Sequence, residues 1–276
     1  MWEHAVGFRQ VARLLLVCAG LWLPGSAARA GFIAMETRAE AEFRDGQVVL
    51  RVTTTNRGDE PAFHVRFEAL HPDEPKSSDS FERLEVGASA EHTFRWEASE
   101  GRYRQRVIPV LTHYTDANYY ALSALSQSVV TFGEHPMTTL AARVDPIEAN
   151  PRGLLRVRLR SIDDTPHHVR LRVVTPSELG VRPRSAGADV PASGEVLAEF
   201  DLENFSGLPG SVYGVTVILS EERADGIVES VVPASVNLIA PLPSRTARVG
   251  IVAAVVMATL VLVGWQLGAF RRLHRG

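Results

Sequence analysis

Metal and nucleophile chemistry depend on a few residue types, and here their spacing argues against both. The histidines His64, His71, His92, His113, His135, His167 and His168 contain no His-x-His or His-Glu-x-x-His pair, the spacings that bring two ring nitrogens onto one metal ion. His167 and His168 are adjacent at the entry to a predicted strand, so their rings should point to opposite faces. The single cysteine, Cys18, sits in an apolar N-terminal run and leaves the rest of the chain without thiolates. Asp116-Ala117-Asn118 and Asp225-Gly226 offer oxygens, but a calcium ion takes about six or more, and hairpin-turn chemistry accounts for both groups. There is no Gly-x-Ser-x-Gly, phosphate loop or Cys/His pair. The sequence predicts no enzyme, no cofactor and no metal.

Binding chemistry is better represented. Tyr114, Tyr119 and Tyr120 crowd one predicted hairpin, where exposed rings would stack on sugars or anchor a protein interface, and buried ones would close the end of a core. Arg156, Arg158 and Arg160, with Arg170 and Arg172, form a basic stripe on the outward side of two predicted strands, suited to lipid headgroups or acidic glycans, or simply to keeping a sheet face solvated. If the two strands belong to opposite sheets, that stripe is split. The polar loop from His71 to Ser80 reads as an exposed connection. A formal charge of −3 gives no electrostatic footing for nucleic acid.

The elements that must carry these residues are strands. In Leu155-Arg156-Val157-Arg158-Leu159-Arg160, apolar and charged residues alternate strictly, which sorts them onto two faces of an extended chain and would scatter them around a helix. Similar runs are Val48 to Thr54, Val169 to Val174, Glu195 to Leu202, Val212 to Leu219 and Ile227 to Leu238. Asp45-Gly46, Asn56-Arg57-Gly58-Asp59, Asp163-Asp164-Thr165-Pro166 and Leu208-Pro209-Gly210 supply the turns between such runs. Short strands at this spacing mean antiparallel β-sandwiches.

The pattern is repeated. Val49-Leu50-Arg51-Val52, followed by a polar turn, Pro61 and His64-Val65-Arg66-Phe67, is answered by Leu154-Leu155-Arg156-Val157, Pro166 and His168-Val169-Arg170-Leu171. Gly101-Arg102-Tyr103 is answered by Gly210, ahead of Tyr213. This order predicts a tandem duplication of a seven-strand immunoglobulin-like unit. A tyrosine at that corner either hydrogen-bonds back to the backbone or is buried for its ring alone.

The run Val52-Thr53-Thr54-Thr55-Asn56-Arg57-Gly58-Asp59-Glu60-Pro61-Ala62, with Leu84-Glu85-Val86-Gly87-Ala88-Ser89, Gly101-Arg102-Tyr103 and Tyr114-Thr115-Asp116-Ala117-Asn118, resembles the CARDB and NEW3 group of bacterial and archaeal immunoglobulin-like domains. The second unit departs from that pattern, carrying Ser161-Ile162-Asp163 in place of Asn-x-Gly. The resemblance implies adhesion or spacer modules of envelope proteins with no shared active site.

Two apolar ends set the expected address. Leu14 to Leu23, behind Arg9 and Arg13 and ahead of Ala28-Arg29-Ala30, reads as a cleavable export signal over 1–30. Val249 to Phe270 is uncharged and long enough to cross a hydrocarbon core of roughly 30 Å as a helix. Between them lie two expected sandwiches, 31–133 and 134–240, and a proline-bearing tether, 241–248, that reaches under about 30 Å. A tail, 271–276, would remain in the cytoplasm. The sequence thus predicts a single-pass inner-membrane protein with periplasmic or extracellular sandwiches, serving as a binding or scaffold component for other envelope or membrane proteins. A carbohydrate-binding accessory for cell-wall or exported polysaccharide is the alternative.

Overall fold

Alternation along the chain becomes a burial pattern in the computed structural model, which describes residues 32–71, 74–98 and 101–240, together with 256, 257 and 259. The expected signal, tether and tail lie outside the described residues. Of the expected membrane span only Val256, Met257 and Thr259 are described, and they are helical. Among the described residues no helix is long and apolar enough to cross a membrane.

The chain is all β. Its strands are β1 (Met35–Arg44), β2 (Gln47–Asn56), β3 (Ala62–Ala69), β4 (Lys76–Ser77), β5 (Phe81–Leu84), β6 (Ser89–Glu97), β7 (Tyr103–Thr115) and β8 (Ala121–Thr131). There follow β9 (Leu140–Val144), β10 (Ile147–Ala149), β11 (Arg152–Ser161), β12 (His167–Val174), β13 (Leu179–Arg182), β14 (Ser185–Val190), β15 (Glu195–Asn204), β16 (Val212–Arg223) and β17 (Gly226–Leu238). In β11, Leu155, Val157 and Leu159 are fully buried while the arginines between them are exposed, as a half-buried strand requires. The Asp45-Gly46 pair closes the β1–β2 hairpin with both residues at positive φ, 51° and 77°, the two-residue turn whose twist suits antiparallel strands.

One topology is used twice. In the first half β1-β2-β6 form one sheet, facing a second built from β8, β7 and β3 with β4 and β5 at its edge. In the second half β13-β15-β11-β9 face β14-β12-β16-β17. Matching β1 to β9, β2 to β11, β3 to β12, β6 to β15, β7 to β16 and β8 to β17 superposes the strand order, the arrangement of immunoglobulin-like sandwiches. Each sandwich has its own hydrophobic core, one around Leu50, Phe67 and Ile108 and the other around Leu155, Leu171 and Phe200.

The stretch Asn56-Arg57-Gly58 makes a buried turn. Asn56 Nδ2 donates to the carbonyls of Glu60 (2.7 Å) and Leu84 (3.2 Å), and its Oδ1 accepts from Gly58 N at 3.0 Å. In the second sandwich, where the sequence departs from Asn-x-Gly, Ser161 Oγ does the same work by donating to the Asp163 carbonyl at 2.8 Å. The turn's task is conserved between the halves although its residues are not.

Two strands break the alternation for a physical reason. Val107 to Leu111 in β7 and Val215 to Leu219 in β16 are buried without interruption, because each strand faces its own core on one side and the other sandwich on its second side. Val107, Val174 and Ile218 form a small apolar cluster at this junction, with Leu70, Leu125 and Val231 packed against it. The start of β17 pairs in parallel with β7, Ile227 with Tyr103 and Val228 with Gln105, so the two facing sheets merge into one of ten strands.

Candidate functional site

The junction carries the polar chemistry of the molecule. Glu178, only 1% exposed, accepts from Ser123 N at 2.7 Å and Ser123 Oγ at 2.6 Å, both in the first sandwich. Glu229, 5% exposed, accepts from Val107 N at 2.9 Å and Ser220 Oγ at 3.1 Å. Thr216 Oγ1 donates to Gln127 Oε1 at 3.0 Å. Buried carboxylates need partners of this kind, and backbone N–H groups provide them.

The predicted tyrosine cluster divides. Tyr114 is buried, and burial, helped by the nearby Glu178 charge, pushes its hydroxyl far above the ordinary tyrosine range. Tyr120 donates its hydroxyl to the Ser206 carbonyl across the junction. Tyr119 is the most displayed of the three: it is 76% exposed against 37% for Tyr120, has a φ of 62°, and stacks on His64 with ring centroids 5.8 Å apart. His64 is itself at positive φ, 51°, where the β3–β7 register shifts between Phe63 and Arg66, so a bulge turns its ring outward. The Asp116 turn beneath is held by Asp116 Oδ1, which accepts from the backbone of Asn118 and Tyr120, each at 2.8 Å. Tyr213 is a tyrosine corner, its hydroxyl accepting from Leu208 N at 3.0 Å. At the matching place Tyr103 instead lies under the Arg106 guanidinium, whose Cζ is 4.0 Å from the tyrosine ring centroid.

The predicted arginine stripe is also split, because β11 and β12 lie in different sheets. Arg156 pairs with Glu199 at 2.9 Å, and Arg158 with Asp145 at 3.1 Å and Glu195 at 3.8 Å. The Arg158 hydrogen bond holds the Asp145 carboxyl below the usual range. Arg160 stands opposite Glu195 in the register. Arg170 and Arg172 differ: neither forms an ion pair among the described residues. Both line a groove of about 830 Å³ at the junction, floored by the outward face of β14, β12, β16 and β17 and walled by Arg102 and Tyr103 at the start of β7. Spacing along the chain revealed these arginines; only the strand register distinguishes the paired ones from those left open.

His167 and His168 do point to opposite faces. His168 is exposed beside Asp189 at 2.5 Å. His167, 6% exposed, lies between Asp163 (2.7 Å) and Glu221 (2.5 Å), and Arg223 pairs with the same Glu221. Burial alone would lower the His167 pKa, but the hydrogen bonds its ring donates to Glu221 and Asp163 outweigh it and the net shift is upward. The His167 hydrogen bond in turn holds the Asp163 carboxyl well below the usual range. Among the described residues, no three His, Cys, Asp or Glu side chains converge to hold a metal ion.

No protein-family model matches the chain, and no curated protein matches it. Among solved structures it is similar to native α2-macroglobulin of Escherichia coli, at 10% identity and TM-score 0.30, covering 75% of this chain and 17% of that one. It is similar to red sea bream transglutaminase at 13% identity and TM-score 0.26, covering 75% and 31%. A protein of unknown function from Porphyromonas gingivalis W83 is 12% identical with TM-score 0.34, covering 74% of this chain and 99% of that one. These likenesses concern the fold alone.

Proposed function

We propose that the chain is a membrane-anchored, extracytoplasmic binding component of an envelope assembly, exported by its N-terminal segment and held by the apolar segment 249–270. Its two sandwiches, the first of them CARDB- or NEW3-like, act as spacers that present the groove at their junction to another protein. The observation that carries this reading is the contrast in charge: the β11 arginines Arg156 and Arg158 are neutralised by carboxylates, whereas Arg170 and Arg172 stand without ion partners among the described residues, in a groove of about 830 Å³. Domain junctions that keep polar groups aimed into a concavity are where ligands commonly bind.

The test uses the full chain in its own membrane. A photo-crosslinking amino acid at Asp189, on the outward face of β14 in the groove, should give discrete adducts, and one at the exposed Leu197 on the opposite sheet should give none. Equal labelling from both positions, or protection of the sandwiches from protease added to intact spheroplasts, refutes the reading. A second reading, a polysaccharide-binding accessory, draws on the displayed Tyr119–His64 stack. It requires glycan binding by the full chain that disappears in Tyr119→Ala.

A further inference from the structure

Among the described residues strand β14 has one sheet neighbour, β12, so its far side carries backbone donors and acceptors with no described strand beside them. In the register with β12, Arg170 is opposite Gly187 and Arg172 is opposite Ser185. No bulky side chain on β14 therefore stands between these guanidinium groups and the open edge. A Cβ placed on Gly187 would meet nothing within 4 Å, and its φ lies outside the left-handed region, so neither packing nor backbone requires glycine there.

The charge around this edge is one-sided. Arg172 Nη2 is buried with no hydrogen-bond partner among the described residues. Arg182 and Arg184 are exposed just before β14. The carboxylates of the groove are Asp189, beside His168; Glu222; and Glu229, already engaged by Val107 N and Ser220 Oγ. Asp189 belongs to the Val190 end of β14, which leaves the Ser185 end basic.

Side chains on one face of an extended chain repeat every ~6.6 Å, which is also the spacing from Arg170 to Arg172 along β12. An added strand with carboxylates at alternate positions would therefore meet both arginines in step, across Gly187 and Ser185, while its backbone pairs with β14. We propose that β14 receives an extended segment of a partner protein bearing acidic side chains at alternate positions, bound by strand addition. This rests on the reading of the chain as a binding component and names the chemistry of its partner.

The test measures fluorescence anisotropy of a labelled peptide of alternating glutamate and threonine, about ten residues long, titrated with the full chain in detergent. Binding should weaken with salt and fall about tenfold or more in the double variant Arg170→Glu, Arg172→Glu. Gly187→Leu should block it while leaving the thermal unfolding midpoint unchanged, because the new side chain fills open space. The same peptide N-methylated at every backbone position should not bind, since it has no N–H to donate to the strand edge. Equal binding by the N-methylated peptide overturns strand addition. Binding of alginate but not of the peptide overturns the partner class. If no peptide binds while crosslinks from Asp189 persist, this assignment fails and the binding function stands; if both are absent, both fail.

Discussion

Replacing Glu178 by glutamine tests whether the two sandwiches are locked together by the polar groups at their junction. Oε1 accepts from Ser123 N and Oε2 from Ser123 Oγ, and that same hydroxyl accepts from Ser177 N at 2.8 Å and Ser177 Oγ at 2.9 Å. An amide has one acceptor. If its NH2 faces Ser123 N, two donors meet; if it faces Ser123 Oγ, the hydroxyl proton loses its acceptor. One hydrogen bond is lost in either orientation. A bond to a charged group is worth about 1.5–3 kcal/mol, and removing a buried charge returns part of that, so the net cost is about 2 kcal/mol. For a folded region of this size, that lowers the midpoint of thermal unfolding by about 4–8 °C. The assay is circular dichroism of the full chain in detergent, followed in the β region. A midpoint within about 1 °C of the unchanged protein, or above it, refutes the account of the junction.

The His167 site gives a pH dependence with a definite sign. Its folded pKa lies above the ordinary 6.5, so its stabilisation is complete below that value and is lost as pH rises through the higher folded pKa, and His167→Gln should flatten the fall in unfolding midpoint over that range. Asp163 works in the opposite sense, its contribution persisting above the ordinary carboxylate range and disappearing only as acid titrates its depressed folded pKa, so Asp163→Asn should remove an acid-limb loss of stability. Asn56→Ala removes three hydrogen bonds from a buried turn and should cost about 2–4 kcal/mol by urea unfolding. Two glycines should behave oppositely on change to alanine. At Gly58 a Cβ would lie 2.3 Å from the Phe32 carbonyl oxygen, forcing the N-terminal backbone aside at about 1–3 kcal/mol, whereas Gly187→Ala should be neutral within about 0.5 kcal/mol.

Strand identity was legible because it depends on local alternation, and β11, β12, β15, β16 and β17 follow the runs read from the sequence. The repetition of the strand order was legible for the same reason, through matched strands and turns. What the residues could not announce depends on contacts distant in the chain. β1 alternates apolar and charged residues as clearly as β11, yet its place beside β2 and its hydrogen bond from Ala41 N to Ser128 Oγ (2.8 Å) come from the closed sandwich. Glu178 lies in an unremarked Thr-Pro-Ser-Glu connection and is meaningful only against Ser123. The arginines misled in an instructive way: all five looked alike in sequence, but Asp145, Glu195 and Glu199 come from strands or turns beside β11, and in the register of β12 no acid stands directly opposite Arg170 or Arg172.

The composition of the junction bears on how the groove keeps its shape. An apolar contact as small as Val107, Val174 and Ile218 is tolerant of sliding, since burial is not directional. Glu178 and Glu229 remove that tolerance, because each is aimed at a particular backbone N–H of the other sandwich, Ser123 and Val107. A shift of one residue would leave both carboxylates buried and unsatisfied, at about 1–3 kcal/mol or more apiece, which exceeds what the apolar cluster would regain elsewhere. The spacing between the Arg102–Tyr103 wall and the Arg170–Arg172 floor is thereby held from a distance. Glu178 lines no part of the groove. Glu178→Gln should therefore weaken binding of the acidic peptide without altering its salt dependence, and an unchanged affinity would mean that wall and floor act independently.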